Sequence, residues 1–263
     1  MNILNTIVQR KKEEVAFRKK KFKENILTDT PGFQRNALQL SAFVLHPEMN
    51  GVIAEFKRRS PSKPDISLST DIEIVSQGYS LAGASALSVL TDIDFFGGSD
   101  EDLQKARLLN HIPILRKEFI IDPYQVIESK SLGADAILLI AEILTKAETE
   151  VLSALAAECG LEVLLEIHTT DQLKKYNDRI RNIGVNNRDL KTFRTDIQRS
   201  LDLFPQLPAG SVKVSESGID TPETVITLKK AGYNGFLIGE KFMKSADPGA
   251  ACAEFIQKIK DDH

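Results

Sequence analysis

Cysteine is scarce in this chain. The two present, Cys159 and Cys252, fall inside amphipathic stretches without metal-ligand spacing. A disulfide framework or a zinc site is therefore not expected, and a reducing compartment fits. Long apolar runs are missing as well. Nothing approaches the roughly 20 residues needed to cross a bilayer, and the first residues are charged and amphipathic, unlike the apolar centre of a leader. A soluble, cytoplasmic protein with no membrane partner is expected. Charge of one sign is not in excess either: 34 basic against 37 acidic residues leave a net charge of −3, which gives no general attraction to nucleic acid. The locally basic segments Arg10-Lys11-Lys12 and Arg18-Lys19-Lys20-Lys21 are interleaved with Glu13 and Glu14 and read as the solvated face of a helix.

What is present is a regular alternation. After about Met49, short apolar runs alternate with amphipathic stretches. The strand candidates are 52–57, 86–90, 114–116, 136–140, 162–167, 182–185, 212–214 and 235–238. Most are apolar throughout, as strands covered on both faces are. Helix patterns lie between them, among them 124–132, 146–159 and 221–231. They are opened by Asp122-Pro123, Thr169-Thr170-Asp171 and Thr221-Pro222, and stopped by Gly83, Gly133, Gly160 and Gly232. Eight strands, each followed by a helix, point to an α/β fold closed as a (β/α)8 TIM barrel. An open doubly wound sheet is the alternative, but the glycine-rich turn usual after its first strand is absent. At 263 residues one domain is expected: a barrel over 49–263 and an N-terminal helical extension over 1–48. In that extension Ile3, Ile7, Val15 and Phe22 recur near helical spacing and would cover the lower mouth of the barrel.

Active sites of such barrels lie where the strands end at their C-terminal side. The first strand ends in Glu55 and Lys57, two residues apart and so on one face. Opposite charges at the end of a buried strand are costly unless paired or needed. Later strands end in Thr91-Asp92, Arg116-Lys117-Glu118-Phe119, Glu166, Asn186-Asn187-Arg188-Asp189, Ser215-Glu216-Ser217-Gly218 and Gly239-Glu240-Lys241. Any one of these can be a solvated loop residue, Glu55–Lys57 a structural ion pair, and Asn186 a turn cap. Their recurrence at matching positions favours a site. His168 reads as a capping or packing residue. The small-residue turns Ser217-Gly218 and Gly239-Glu240, with a short helix starting near Lys241, would present backbone N–H groups to a phosphate.

At these residues the chain resembles indole-3-glycerol-phosphate synthase. The resemblance runs through Ala54-Glu55-Phe56-Lys57-Arg58-Arg59-Ser60-Pro61-Ser62-Lys63, Ser88-Val89-Leu90-Thr91-Asp92 with Phe96-Gly97-Gly98, and Leu115-Arg116-Lys117-Glu118-Phe119. It continues in Gly133 to Ile140, Leu165-Glu166-Ile167-His168, Gly184-Val185-Asn186-Asn187-Arg188-Asp189-Leu190, Ser215 to Ile219 and Phe236 to Glu240. It covers nearly the whole chain. It implies ring closure of a small phosphorylated substrate, 1-(2-carboxyphenylamino)-1-deoxyribulose 5-phosphate, with loss of carbon dioxide and water. Neither a metal nor another cofactor is implied, because the substrate carries its own electron sink. By the same resemblance Lys117 is the general acid of ring closure, Glu166 serves dehydration, and Glu55 holds Lys57. Asn186, Arg188 and Ser217 orient substrate, Ser60 lies near it, and Phe119 and Leu190 line the anthranilate pocket. Gly218, Gly239 and Glu240 fall at the phosphate, Glu240 through its backbone N–H alone. Pro64 stands where the family's first loop commonly has glycine, which bears on how that loop moves. Other phosphate-binding barrels, such as phosphoribosylanthranilate isomerase or the tryptophan synthase α subunit, and a catalytically silent binding barrel are the competing readings. None of them calls for Glu55, Lys57, Lys117 and Glu166 together. A monomer is expected, since no large apolar stripe is evident.

Overall fold

The apolar runs form eight strands: β1 (Val52–Phe56), β2 (Ala86–Leu90), β3 (Ile114–Lys117), β4 (Ala136–Ile140), β5 (Glu162–Ile167), β6 (Asn182–Asn186), β7 (Val212–Glu216) and β8 (Gly235–Ile238). The computed structural model describes residues 3–189 and 192–261. Each strand pairs parallel with the next, and β1 pairs with β8, which closes the barrel. The outward side chains are buried under helices and the inward ones fill the lumen, so most strand residues on both faces are apolar. Leaving aside the N-terminal segment, with the long α1 (Ile3–Lys21) and the short α2 (Glu24–Thr28), α3 (Pro31–Gln34) and α4 (Leu40–Leu45), the outer ring is α5 (Ile72–Leu81), α6 (Asp100–Leu109), α7 (Pro123–Ser131), α8 (Lys146–Glu158), α9 (Gln198–Leu203), α10 (Pro222–Ala231), α11 (Glu240–Met243) and α12 (Pro248–Asp261).

The start signals act as expected at α7 and α10, where the side chains of Asp122 and Thr221 accept the backbone N–H of Tyr124 and Thr224. The four stop glycines all have positive φ, between 72° and 106°, the left-handed region that ends a helix without a Cβ clash. One crossover departs from the expectation. Thr169-Thr170-Asp171 opens only a 3-10 segment, Thr170–Lys175, with no side-chain cap. Three strands run further than expected: β3 includes Lys117, β6 includes Asn186 and β7 includes Glu216.

The N-terminal segment does not lie wholly at the lower mouth. Ile3, Leu4 and Ile7 of α1 reach the upper mouth, beside Lys117 and Glu166. The lower mouth is closed instead by α4, whose Leu40 and Val44 are buried in the lumen cluster. Ser41 anchors α4 through its N–H and hydroxyl, which donate to Glu162 at 2.7 and 2.6 Å. Helical spacing identifies an apolar face but not the rim it meets. Phe22, expected to cover apolar surface, is largely exposed.

Nor is the basic face of α1 solvated throughout. Lys11 is only 1% exposed. Its ammonium lies 2.7 Å from Glu14, 3.1 Å from Asp92 and 3.1 Å from Glu118. Arg18 pairs with Glu128 at 2.6 Å and with Asp100. Arg116, fully buried on the outer side of β3, meets the same two carboxylates at 3.0 and 2.9 Å. Its Nε donates to Thr91, whose hydroxyl donates to Glu118. With Glu14 and Arg18 3.7 Å apart, Lys11, Glu118, Thr91, Arg116, Glu128, Arg18 and Glu14 form a closed ring of polar contacts that pins α1 to β2, β3 and α7. A buried cation is tolerated when it is multiply paired and hydrogen-bonded, and sequence alone does not reveal partners this distant.

Candidate active site

Alternate strands of such a barrel contribute the four side chains of one interior layer. Here β1, β3, β5 and β7 supply Glu55, Lys117, Glu166 and Glu216, and the four meet at the C-terminal mouth. The Lys117 ammonium is 3.0 Å from Glu216, 3.7 Å from Glu166 and 3.8 Å from Glu55. Lys57, two residues beyond Glu55, donates to it at 2.8 Å, and Ser88 on β2 donates to its other oxygen at 3.3 Å. Burial works against the charge on Lys117, but Glu216, Glu55 and Glu166 outweigh it and raise its pKa. Burial works equally against Glu55, and here Lys57 and Lys117 prevail, holding its carboxyl below the usual range.

Three carboxylates face two ammonium groups, so the layer carries one excess negative charge in a buried place. A proton shared among the carboxylates relieves it. Glu216 is the group that takes it. Burial, reinforced by the neighbouring Glu166 and Glu55 and opposed by Lys117, raises its carboxyl to about 7. Its Oε1 is buried with no hydrogen-bond partner among the described residues. The sequence places Glu216 among the strand-end groups but gives it no role, the seventh strand reading as 212–214. The alternation Val212, Val214, Glu216 carries the signal: all three side chains share the inward face. His168, by contrast, is a packing residue. Its Nε2 lies 3.8 Å from Glu166, neither ring nitrogen has a hydrogen-bond partner among the described residues, and burial lowers its pKa to about 4.

Room for Glu216 depends on Gly184 of β6. A Cβ at position 184 would stand 2.0 Å from Glu216 Oε1. Gly184→Ala is expected to push the carboxylate off Lys117, costing about 1–3 kcal/mol of stability and lowering turnover in the same variant. Urea midpoints and turnover measured side by side check this; both unchanged would mean the carboxylate has somewhere else to go.

Above the charged layer lies a mainly apolar cavity of about 140 Å³. Glu55, Lys57, Lys117, Glu166, Ser60, Phe119, Arg188 and Ser217, all candidates from the sequence, line it together. Phe96 joins Phe119 on the wall, the ring centroids 5.8 Å apart, and Ile3, Leu4 and Ile7 of α1 close the side. From the sequence Ile3 and Ile7 are expected at the other rim and Leu4 has no assigned place, while Leu138 and Ile140 of β4 read simply as strand core. A smaller cavity of about 60 Å³ adjoins, lined by Ser217, Gly218, Gly239, Glu240, Lys241 and Arg188. Asn186 lines neither cavity: its Oδ1 accepts the backbone N–H of Arg188 at 2.9 Å, the turn-capping role. Leu190 lies outside the described residues.

The side chain of Glu240 also departs from expectation, because it takes part in the second cavity along with the backbone. It accepts hydrogen bonds from Lys63 and from Lys244 (2.7 Å), and lies 3.5 Å from Arg188. Burial works against its charge, yet the bonds from Lys244 and Lys63 hold its carboxyl down at about 2. Ser60 and Lys63 exchange backbone hydrogen bonds at 2.8 and 2.9 Å, so the first loop turns tightly just before Pro64.

The family model described as indole-3-glycerol phosphate synthase matches residues 4–255 of the chain. An indole-3-glycerol phosphate synthase of Bacteroides thetaiotaomicron is 52% identical over 211 residues, covering 80% of this chain and 81% of that protein. One from Bordetella pertussis is 40% identical over 259 residues, covering 97% and 99%. Among solved structures, a mutant tryptophan synthase α-subunit of Pyrococcus furiosus superimposes with a TM-score of 0.61 at 14% identity, covering 81% of this chain and 98% of that one. That last likeness is one of fold alone.

Proposed function

The chain belongs to the indole-3-glycerol phosphate synthase family, and from that premise we propose how its residues divide the reaction. It is an enzyme of tryptophan biosynthesis, converting 1-(2-carboxyphenylamino)-1-deoxyribulose 5-phosphate to indole-3-glycerol phosphate with release of carbon dioxide and water.

The observation that carries the division of labour is the layer Glu55–Lys117–Glu166–Glu216 beneath an apolar cavity with a small polar one beside it. The substrate's aromatic ring occupies the apolar cavity against Phe119, and its phosphate lies in the polar cavity against the backbone of Gly218, Gly239 and Glu240. Ser60, Ser217 and Arg188 orient the chain between them. Ring closure forms a bond between the aromatic carbon bearing the carboxylate and the ketone carbon, and the carbonyl oxygen gains a proton from Lys117. A charged lysine is the form that can donate, and its three carboxylate neighbours keep it charged. Carbon dioxide then leaves, and its bonding electrons restore the aromatic ring. In dehydration Glu166 protonates the departing hydroxyl, which leaves as water, and the resulting carboxylate takes the proton from the adjacent ring carbon as the indole double bond forms. Glu55 holds Lys57 in place, and Glu216 takes up and returns the proton that offsets the layer's excess negative charge.

The test is turnover by the purified protein without added metal. Because the chain contains no tryptophan, indole fluorescence from the product rises over a background of tyrosine only. Product formed in step with substrate consumed is the expected result. Saturable substrate binding with no product would sink the catalytic assignment.

A further inference from the structure

The polar cavity contains an anion that belongs to the protein. Glu240 Oε1 accepts from Lys63 of the first loop and from Lys244 at 2.7 Å, while its Oε2 faces Arg188 of the β6 loop at 3.5 Å. Arg188 in turn reaches Ser62 of the first loop at 3.4 Å. Three loops, after β1, β6 and β8, thus meet on one carboxylate. Pro61 and Ser62, next to Lys63, form part of the roof of the apolar cavity.

We propose that Glu240 is a built-in counter-anion that latches the first loop over the mouth and competes with the substrate's phosphate for Lys63 and Arg188. The inference rests on the reading of the polar cavity as the phosphate site. A phosphate entering the cavity beside Gly218 and Gly239 is set against the Glu240 carboxylate, and like charges at that range repel. Binding therefore proceeds as an exchange. Lys63 and Arg188 pass from carboxylate to phosphate, and Glu240 keeps Lys244, four residues along and half-exposed at the rim. The exchange gives a loop held closed on the Glu240 carboxylate without ligand and on the phosphate with ligand, and it lowers phosphate affinity, which favours release of a phosphorylated product. Lys241, which also lines the cavity, stays with the phosphate throughout.

Inorganic phosphate is the probe, with binding followed by calorimetry and loop closure by limited trypsin cleavage after Arg58 and Arg59. Glu240→Gln keeps the shape and removes the charge. It is expected to bind phosphate about tenfold more tightly than the wild type, about 1.4 kcal/mol, and to be cleaved faster when phosphate is absent. Lys63→Met also frees the loop but removes a cation, so it is cleaved faster yet binds phosphate more weakly. Opposite shifts in affinity with the same shift in cleavage are the signature of the latch. Equal or weaker phosphate binding by Glu240→Gln, or loop cleavage unchanged in both variants, overturns it. If neither the wild type nor Glu240→Gln binds phosphate at all, it is the phosphate reading of the cavity that fails, and the latch goes with it.

Discussion

Lys117→Met lowers turnover by about a thousandfold, the middle of the range for loss of a positioned general acid, while the substrate still binds. Methionine fills the space of the lysine stem and removes only the ammonium. Three carboxylates, Glu55, Glu166 and Glu216, then face Lys57 alone, and the excess negative charge of the layer grows from one to two. Those carboxylates take up protons from solvent in response, so the barrel keeps its fold while the ring-closing step loses its donor. Single-turnover fluorescence separates this from weakened binding: the plateau of rate against substrate concentration falls and the half-saturation point stays near its wild-type value. A barrel that only binds phosphorylated ligands would show no such fall. A Lys117→Met protein that turns over at wild-type speed rules out the assignment of this lysine as the acid.

Arg116→Met is the corresponding experiment on stability, with an expected loss of about 3–5 kcal/mol, the usual effect of removing one partner from a buried ion pair. Arg116 is 2% exposed and Glu128 is 3% exposed. Without the guanidinium, Glu128 retains Arg18 at 2.6 Å but loses two contacts of 3.0 Å, and Thr91 loses its donor. The urea midpoint is expected to fall with no change in its slope, since the barrel still buries the same surface. A second variant, in which Glu128 is also replaced by leucine, recovers much of the loss, because a buried pair replaced on both sides is often neutral. A midpoint unmoved by Arg116→Met would mean that water reaches this part of the ring.

These outcomes depend on features that the sequence discloses unequally. The eight strands are legible because parallel strands between helices are apolar on both faces, and the alternation of such runs with capped helices leaves little freedom of topology. The charged ends of strands are not legible in the same way. Lys117 pairs in register with Leu90, and Glu216 with Asn186 and Leu237, so the ladder continues through residues that read as loop. The part Glu216 plays in the layer shows only once Asn186 and Leu237 pair with it. Residues that belong to the site through long-range packing are the least legible. Ile3, Leu4 and Ile7 have ordinary helical spacing, and only tertiary structure shows which rim they cover. Lys11 looks like any lysine of a basic helix until Asp92 and Glu118 arrive from strands that lie more than eighty residues on in the chain.

That distance along the chain has a consequence for synthesis. Arg18 and Glu128 are 110 residues apart, and ribosomes add about 5–20 residues per second, so roughly 5–20 s pass between making the one and making the other. During that interval α1 has no ring to close. An isolated helix of 19 residues without its packing partners is only marginally stable in water. The segment that leaves the ribosome first is therefore held in place only after β2, β3 and α7 have followed it, so the wall of the substrate cavity that is made first waits for half the chain before it is fixed.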